Sequence, residues 1–257
     1  MKDNNCKHFW SLVFTLAERD IRVKYAQTFF GLTWMIVQPI ISYFMISFFF
    51  GKLLRVNQQI TDYSLFAYFG MMAWYYFSYI VGYSGISLLQ NQDIVQKTNI
   101  PKLVLPFSKA FSGLFEFIIW LTVGILIFFI KGNHPDFKFI LIPFLIIFNM
   151  IAGLSIGLWI SAITIKYRDV YHFIPYVIGI SIFITPVLYP LTMVPENLKF
   201  IIYLNPMSGI IEGYRWLILN YEVPTYKYLY GLGALLIFFL IGIYYFKRTE
   251  KKMADII

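Results

Sequence analysis

Residues 105–130 read LPFSKAFSGLFEFIIWLTVGILIFFI, and this stretch decides the fold class. As an α-helix its 26 residues would extend about 39 Å, more than the roughly 30 Å of a bilayer's hydrocarbon core. Beyond Lys109 its ionisable side chain is Glu116. A segment in lipid must satisfy its backbone hydrogen bonds internally, which selects a helix. Five further apolar stretches are long enough to span: Leu32–Phe50, Ser64–Leu88, Phe139–Ile165, Phe173–Leu191 and Tyr228–Phe246. The sequence thus predicts an all-α integral membrane protein with six transmembrane helices.

Composition agrees. Of 257 residues, 59% are apolar, 13% charged and 21% aromatic, whereas a soluble domain has nearer 45–50% apolar and about 25% charged residues. This excludes a soluble enzyme, a disordered chain and a disulfide scaffold. Six spans leave no room for a large catalytic domain. Cys6 can form no internal disulfide, and His8, His134 and His172 are scattered, so no metal site is expected. The polar start, Met1–His8, argues against a cleaved signal peptide.

Residues 9–28 precede the first span. Trp10, Val13, Phe14, Ala17, Ile21 and Tyr25 recur at helical spacing, opposite Ser11, Thr15, Glu18 and Arg22. With no soluble core to receive it, this amphipathic helix is expected to lie in the membrane interface. Placing the N-terminus in the cytoplasm puts fourteen Lys and Arg inside against seven outside. That is the usual bias, and it leaves both termini cytoplasmic. The net charge of +8 is then mainly an orientation signal, and no nucleic-acid partner is needed to explain it.

Residues 192–222 are apolar enough to suggest a seventh span, but Asn205-Pro206 breaks them, and Glu196, Lys199, Glu212 and Arg215 punctuate them. Pro195 and Pro206 suit first-turn positions and Asn205 suits an N-cap. Two short helices, Pro195–Leu204 and Pro206–Leu219, are predicted to form an outer re-entrant hairpin over 195–219 between spans five and six. The chain carries no G-x-x-x-x-G-K-[ST] phosphate loop, so by that route it cannot hydrolyse ATP.

Four ordered signatures carry a resemblance. The first is Arg19-Asp20-Ile21-Arg22-Val23-Lys24-Tyr25 with Gly31-Leu32-Thr33-Trp34 and Gln38-Pro39. The second is Ile100-Pro101-Lys102 with Leu105-Pro106, and the third Tyr167-Arg168-Asp169-Val170. The fourth is Thr185-Pro186-Val187-Leu188-Tyr189-Pro190 with Val194-Pro195, then Leu204-Asn205-Pro206-Met207 and Tyr214-Arg215. Together they resemble the polysaccharide-export permeases of ATP-binding-cassette transporters, which export O-antigen, capsule or teichoic acid. Departures fall at Lys24, where arginine is commoner, and at Thr28 and Phe30.

The resemblance implies a single permease domain over 1–257, acting as a homodimer bound to two copies of a separate ATPase. ATP and Mg would sit in that partner, with no cofactor on this chain. The glycan, on a polyprenyl-pyrophosphate lipid, would pass between the subunits, out of the bacterial cytoplasmic membrane. The loop 91–106 would dock on the ATPase through a short helix with Asp93, Ile94, Val95, Gln96 and Lys97, capped by Asn91. From spacing alone a plain connecting loop fits equally. Arg168 and Asp169 suit either a local ion pair or ATPase contact.

Further residues have two readings each. Glu116 must face the bundle or a watery path, since an ionisable group in lipid costs on the order of 2.5–3.5 kcal/mol. It is either a pore-lining carboxylate or a structural partner. Tyr76, Tyr79 and Tyr83, on one helical face, with Tyr43 and Tyr189, form a candidate glycan corridor. Tyrosine offers a flat ring and a polar handle, though single aromatics also serve as interfacial belts. Arg22 and Lys24 suit either a pyrophosphate entry site or anionic membrane lipid. Asn205, Pro206 and Arg215 would form the exit gate. Gly153 and Gly157 read as a helix-packing signal. Rival functions are a drug or small-lipid exporter of the same fold, an integral membrane enzyme acting on lipid-linked sugar, and a scaffold without transport.

Overall fold

The computed structural model describes residues 2–26, 31–53, 62–98 and 100–253. Gln27 and Thr28 at the end of the stretch 9–28, Phe30, Arg55, read above as an outer charge, and Asn99 in the loop 91–106 lie outside them. Among the described residues all regular elements are helical. The α-helices, in order, are α1 (Lys2–Tyr25), α2 (Trp34–Ile46), α3 (Tyr63–Gly85), α4 (Ser87–Gln90), α5 (Gln92–Lys97), α6 (Val104–Ile130), α7 (Ile142–Thr164), α8 (Val170–Ile184), α9 (Lys199–Leu204), α10 (Pro206–Leu219) and α11 (Tyr228–Met253).

Four helical stretches are long and apolar enough to cross a membrane: Gly31–Phe50, Val104–Ile130, Phe137–Thr164 and Tyr228–Glu250. The other two expected spans differ for physical reasons. α3 has 23 residues, about 35 Å of helix, but its tyrosines, serines and glycines dilute its hydropathy. It is the most buried element, packed between α6, α7 and α10. Buried by protein, it needs less apolar character than a helix facing lipid. α8 has 15 residues, about 22 Å, and ends at Ile184 rather than Leu191. Thr185 is extended, with φ −94° and ψ 136°, as the residue before Pro186 tends to be.

α3 and α7 meet through glycines. A Cβ on Gly153 would lie 2.6 Å from Ile80 Cβ, and one on Gly157 would lie 2.8 Å from Ser84 Cβ. Only bare backbone permits that approach. Asn149 of α7 donates to Ala73 O of α3 at 3.1 Å, which ties the pair further.

α1 packs along α6. Val13 and Ala17 are buried, while Trp10 and Phe14 set their rings 5.6 and 5.0 Å from Phe111. Of the two short helices expected over 195–219, the first is shorter, Lys199–Leu204 instead of Pro195–Leu204, and the second spans Pro206–Leu219. Asn205 caps α10 as its sequence position suggests, accepting from Met207 N at 3.0 Å.

Candidate functional site

α2, α3 and α6 leave a groove of about 600 Å³ between them. α3 contributes Tyr75, Tyr76 and Tyr79, α2 contributes Trp34 and Gln38, and α6 contributes Glu116 and Trp120. The walls are largely aromatic, with few polar groups. That composition suits a ligand having both apolar faces and hydrogen-bonding groups.

The tyrosine face of α3 is graded. Tyr76 is buried, donates to Ala110 O at 3.2 Å and packs its ring 4.8 Å from Phe117. Tyr79 is half-buried, shares a 3.1 Å hydrogen bond with Ser112 and lies 4.4 Å, ring to ring, from Tyr83. Tyr83 is exposed and lines a second cavity of about 380 Å³ with Gln90, Tyr171 and Pro175. Tyr43 and Tyr189 are not among the groove walls. Tyr43 turns to the core beside Tyr68, with Lys131 Nζ 5.4 Å above its ring. Tyr189 donates to Phe183 O at 3.0 Å, next to the end of α8.

Glu116 is tied to α1. Lys24 Nζ lies 2.6 Å from Glu116 Oε1, with the lysine 38% and the carboxylate 17% exposed. The ammonium sits 5.0 Å from the Tyr79 ring centroid and 5.6 Å from that of Tyr25. Burial, then the charge of Glu116 and the hydrogen bond to it, push the Tyr25 phenol up and keep it a donor. Arg22 goes elsewhere, pairing with Glu18 on the exposed side of α1. The two cations read as one entry site are therefore separated by the helix turn. One faces the groove and the other faces out.

A second pair lies beside the first. Lys109 Nζ meets Asp20 Oδ2 at 2.8 Å, and both side chains are largely buried. Asp20 and Lys24 are four residues apart on α1, and Lys109 and Glu116 seven apart on α6, so each pair of positions shares a helical face. A negative–positive stripe on one helix thus meets a positive–negative stripe on the other. Helical spacing holds that signal, but sequence reading did not pair Asp20 with Lys109. It also missed Trp34, Gln38 and Trp120 as groove walls.

α5 turns one of its apolar residues inward. Val95 is buried against Leu88, Leu105 and Phe246. Ile94 is half-buried, and Asp93, Gln96 and Lys97 face out, with Asp93 and Lys97 paired at 3.2 Å. Any surface for docking is therefore polar, with Ile94 at its margin. Asn91 occupies the cap position but makes no cap bond. It donates to Ser87 O and accepts from Arg19 of α1 at 3.0 Å. Lys102 holds the other end, donating through Nζ to Val95 O and Thr98 O, while its backbone N–H donates to Glu250 of α11.

Arg215 is fully buried. It donates to Phe66 O, Pro186 O and Val187 O, pairs with Glu212 at 2.7 Å, and lies 3.4 Å from the Phe66 ring centroid. The carbonyls of residues 186 and 187 lost helical partners where α8 ends, and non-helical backbone at membrane depth is tolerated only when protein satisfies it. Tyr63 OH donates to Leu188 O, which completes the same task, and Asn205 Nδ2 donates to the Thr185 hydroxyl, tying the start of α10 to this segment. Of the residues read as an exit gate, Asn205 caps α10 and reaches Thr185, Pro206 opens α10, and Arg215 is a staple behind it.

Comparison with known proteins fits this architecture. Residues 11–219 match the ABC-2 type transporter membrane family. Two proteins from Klebsiella pneumoniae, both named O-antigen export system permease protein RfbA, are 28% and 26% identical to the chain over 98% of its length and 97% of theirs. A protein of the same name from Myxococcus xanthus is 25% identical over 87% of this chain and 86% of its own. The chain belongs to the ABC-2 type transporter family, as a membrane permease subunit.

Proposed function

We propose that this chain exports a lipid-linked polysaccharide of O-antigen, capsule or teichoic-acid type across the bacterial cytoplasmic membrane. The groove between α2, α3 and α6 carries the reading. Rings that can lie against sugar faces share its walls with a few hydrogen-bonding groups, Gln38, Ser42, Ser78 and Glu116. Full-length similarity to relatives named for O-antigen export supports it. In this reading α2, α3, α6, α7, α8 and α11 are six spans with both termini in the cytoplasm. α1 lies along the inner interface, and α9 and α10 form a hairpin re-entering from outside. Two copies pair around the glycan path, each bound to one ATPase subunit that holds ATP and Mg. The loop 91–106 meets that ATPase through the polar face of α5. Tyr76 and Tyr79 line the path, Tyr83 extends it, and Lys24 meets the anionic end of the lipid carrier. Asn205 and Pro206, positioned by Arg215, shape the exit.

ATP hydrolysis by the purified permease–ATPase complex tests this. Lipid-linked glycan is expected to stimulate it several-fold over empty bilayers. Stimulation by small amphiphiles but not by lipid-linked glycan would point to a drug or small-lipid exporter instead.

A further inference from the structure

The Lys24–Glu116 pair closes an anion-binding position from within. We propose that Glu116 occupies the place on Lys24 that a phosphoryl group of the transported lipid takes, so that substrate enters the groove by exchanging for a carboxylate. The inference rests on the function proposed above and adds to it a resting, self-occupied state of the entry site.

Three observations carry it. First, the two groups differ in access. Lys24 is 38% exposed at the end of α1, whereas Glu116 is 17% exposed and lines the groove wall. The ammonium can be approached from outside while its partner stays inside. Second, Lys24 has neighbours that would hold it once Glu116 is displaced. The rings of Tyr79 and Tyr25 flank it at 5.0 and 5.6 Å, which is within cation–π reach. Third, the cations beside the pair already have carboxylate partners at rest, Lys24 with Glu116, and Lys109 and Arg19 both with Asp20. At rest an incoming anion must therefore displace a carboxylate to reach Lys24.

A diphosphate carries more than one negative charge and several acceptor oxygens. It competes for one ammonium better than a single carboxylate does. The released Glu116 keeps the Tyr25 hydroxyl as a donor. It remains an uncompensated carboxylate at the groove wall, so the exchange is reversible and substrate is not trapped.

The test uses the full chain in phosphatidylcholine nanodiscs, titrated with geranylgeranyl diphosphate, inorganic pyrophosphate and geranylgeraniol. Glu116→Gln is expected to tighten diphosphate binding about fivefold, the scale of one partly exposed ion pair. Lys24→Gln should weaken it at least as much, and neither should change geranylgeraniol binding. A gain confined to the lipid assigns the exchange to a headgroup, and an equal gain for pyrophosphate assigns it to the ion. Both support the exchange. No gain in a folded Glu116→Gln protein overturns it. A wild-type measurement covers a variant that fails to fold. Carbodiimide should join Lys24 to Glu116 as an amide, and saturating diphosphate should suppress that crosslink. A crosslink yield unchanged by diphosphate contradicts the proposal. These readouts concern binding alone. Continued polymer export by cells lacking the chain would instead refute the export reading, whatever the titrations give.

Discussion

Arg215 Nη2 donates to Val187 O at 2.6 Å, joining the middle of α10 to the unwound segment after α8. The same guanidinium reaches α3 through Phe66 O. One buried side chain thus fixes α10 and the segment after α8 to α3. Arg215→Ala would leave Glu212 without its cation and the freed carbonyls without a donor. The expected loss is about 3–5 kcal/mol. Lysine, a point charge without the planar fork, should recover only part of it. Denaturant titration in micelles measures both, and an unchanged midpoint for Arg215→Ala would remove the staple from this account.

Gly70 is where this staple meets α3. A Cβ there would lie 2.5 Å from Val187 O and 2.9 Å from Arg215 Nη2. Gly70→Ala should therefore act as overpacking, costing about 1–3 kcal/mol despite alanine's better helix propensity. A melting temperature equal to or above wild type would show that the contact gives way freely.

The second ion pair between α1 and α6 is the more buried. Asp20→Asn should strand Lys109, whose side chain is 9% exposed, at a cost of about 3 kcal/mol. The expected consequence is local. Limited proteolysis should cut α1 faster than wild type while the core of α3 and α7 stays protected. Equal cleavage rates would mean that α1 is held by its other contacts without this pair.

α5 offers a contrast between neighbouring residues. Val95→Asp puts a charge into the cluster of Leu88, Leu105 and Phe246 and should destabilise the chain by several kcal/mol. Asp93→Ala with Lys97→Ala removes an exposed pair worth about 0.3–0.5 kcal/mol and should leave the fold intact. If the outer face of α5 docks the ATPase, that double variant should instead lower glycan-stimulated hydrolysis. Full stimulation in the double variant would move the coupling surface off α5.

Much of this was legible in the sequence because it rests on local chemistry. The long apolar run of α6 and the Asn205 cap are set by residues within a few positions of each other. So was the need for Glu116 to face protein. The end of α8 was signalled too, since Pro186 disfavours helix at Thr185, yet the apolar run to Leu191 outweighed it. Partnerships across the chain were hidden. Nothing in the surroundings of Arg215 marks residues 66 and 187 as its acceptors. Hydropathy also could not show that α3 is the central helix, because tyrosine serves equally in a core, an interface or a groove. Arg22 and Lys24 looked alike as a basic pair, and only the turn of α1 against α6 separates them.

Groove tyrosines give a prediction about transport rather than stability. Tyr79→Leu keeps apolar bulk while removing the hydroxyl that meets Ser112 and the flat ring that faces the groove. Protein level in the membrane should hold within about 1–2 kcal/mol of wild-type stability, while the rate of polymer appearance at the cell surface should fall several-fold. Wild-type export in Tyr79→Leu would place the glycan path elsewhere.

The most direct measurement of the central claim is the location of finished polymer in cells from which this chain alone is deleted. Surface-impermeant labelling before and after lysis separates polymer outside from polymer inside. The account requires that lipid-linked glycan accumulate on the cytoplasmic side and return to the surface when the chain is restored. Polymer reaching the surface at the wild-type rate without this chain would contradict it.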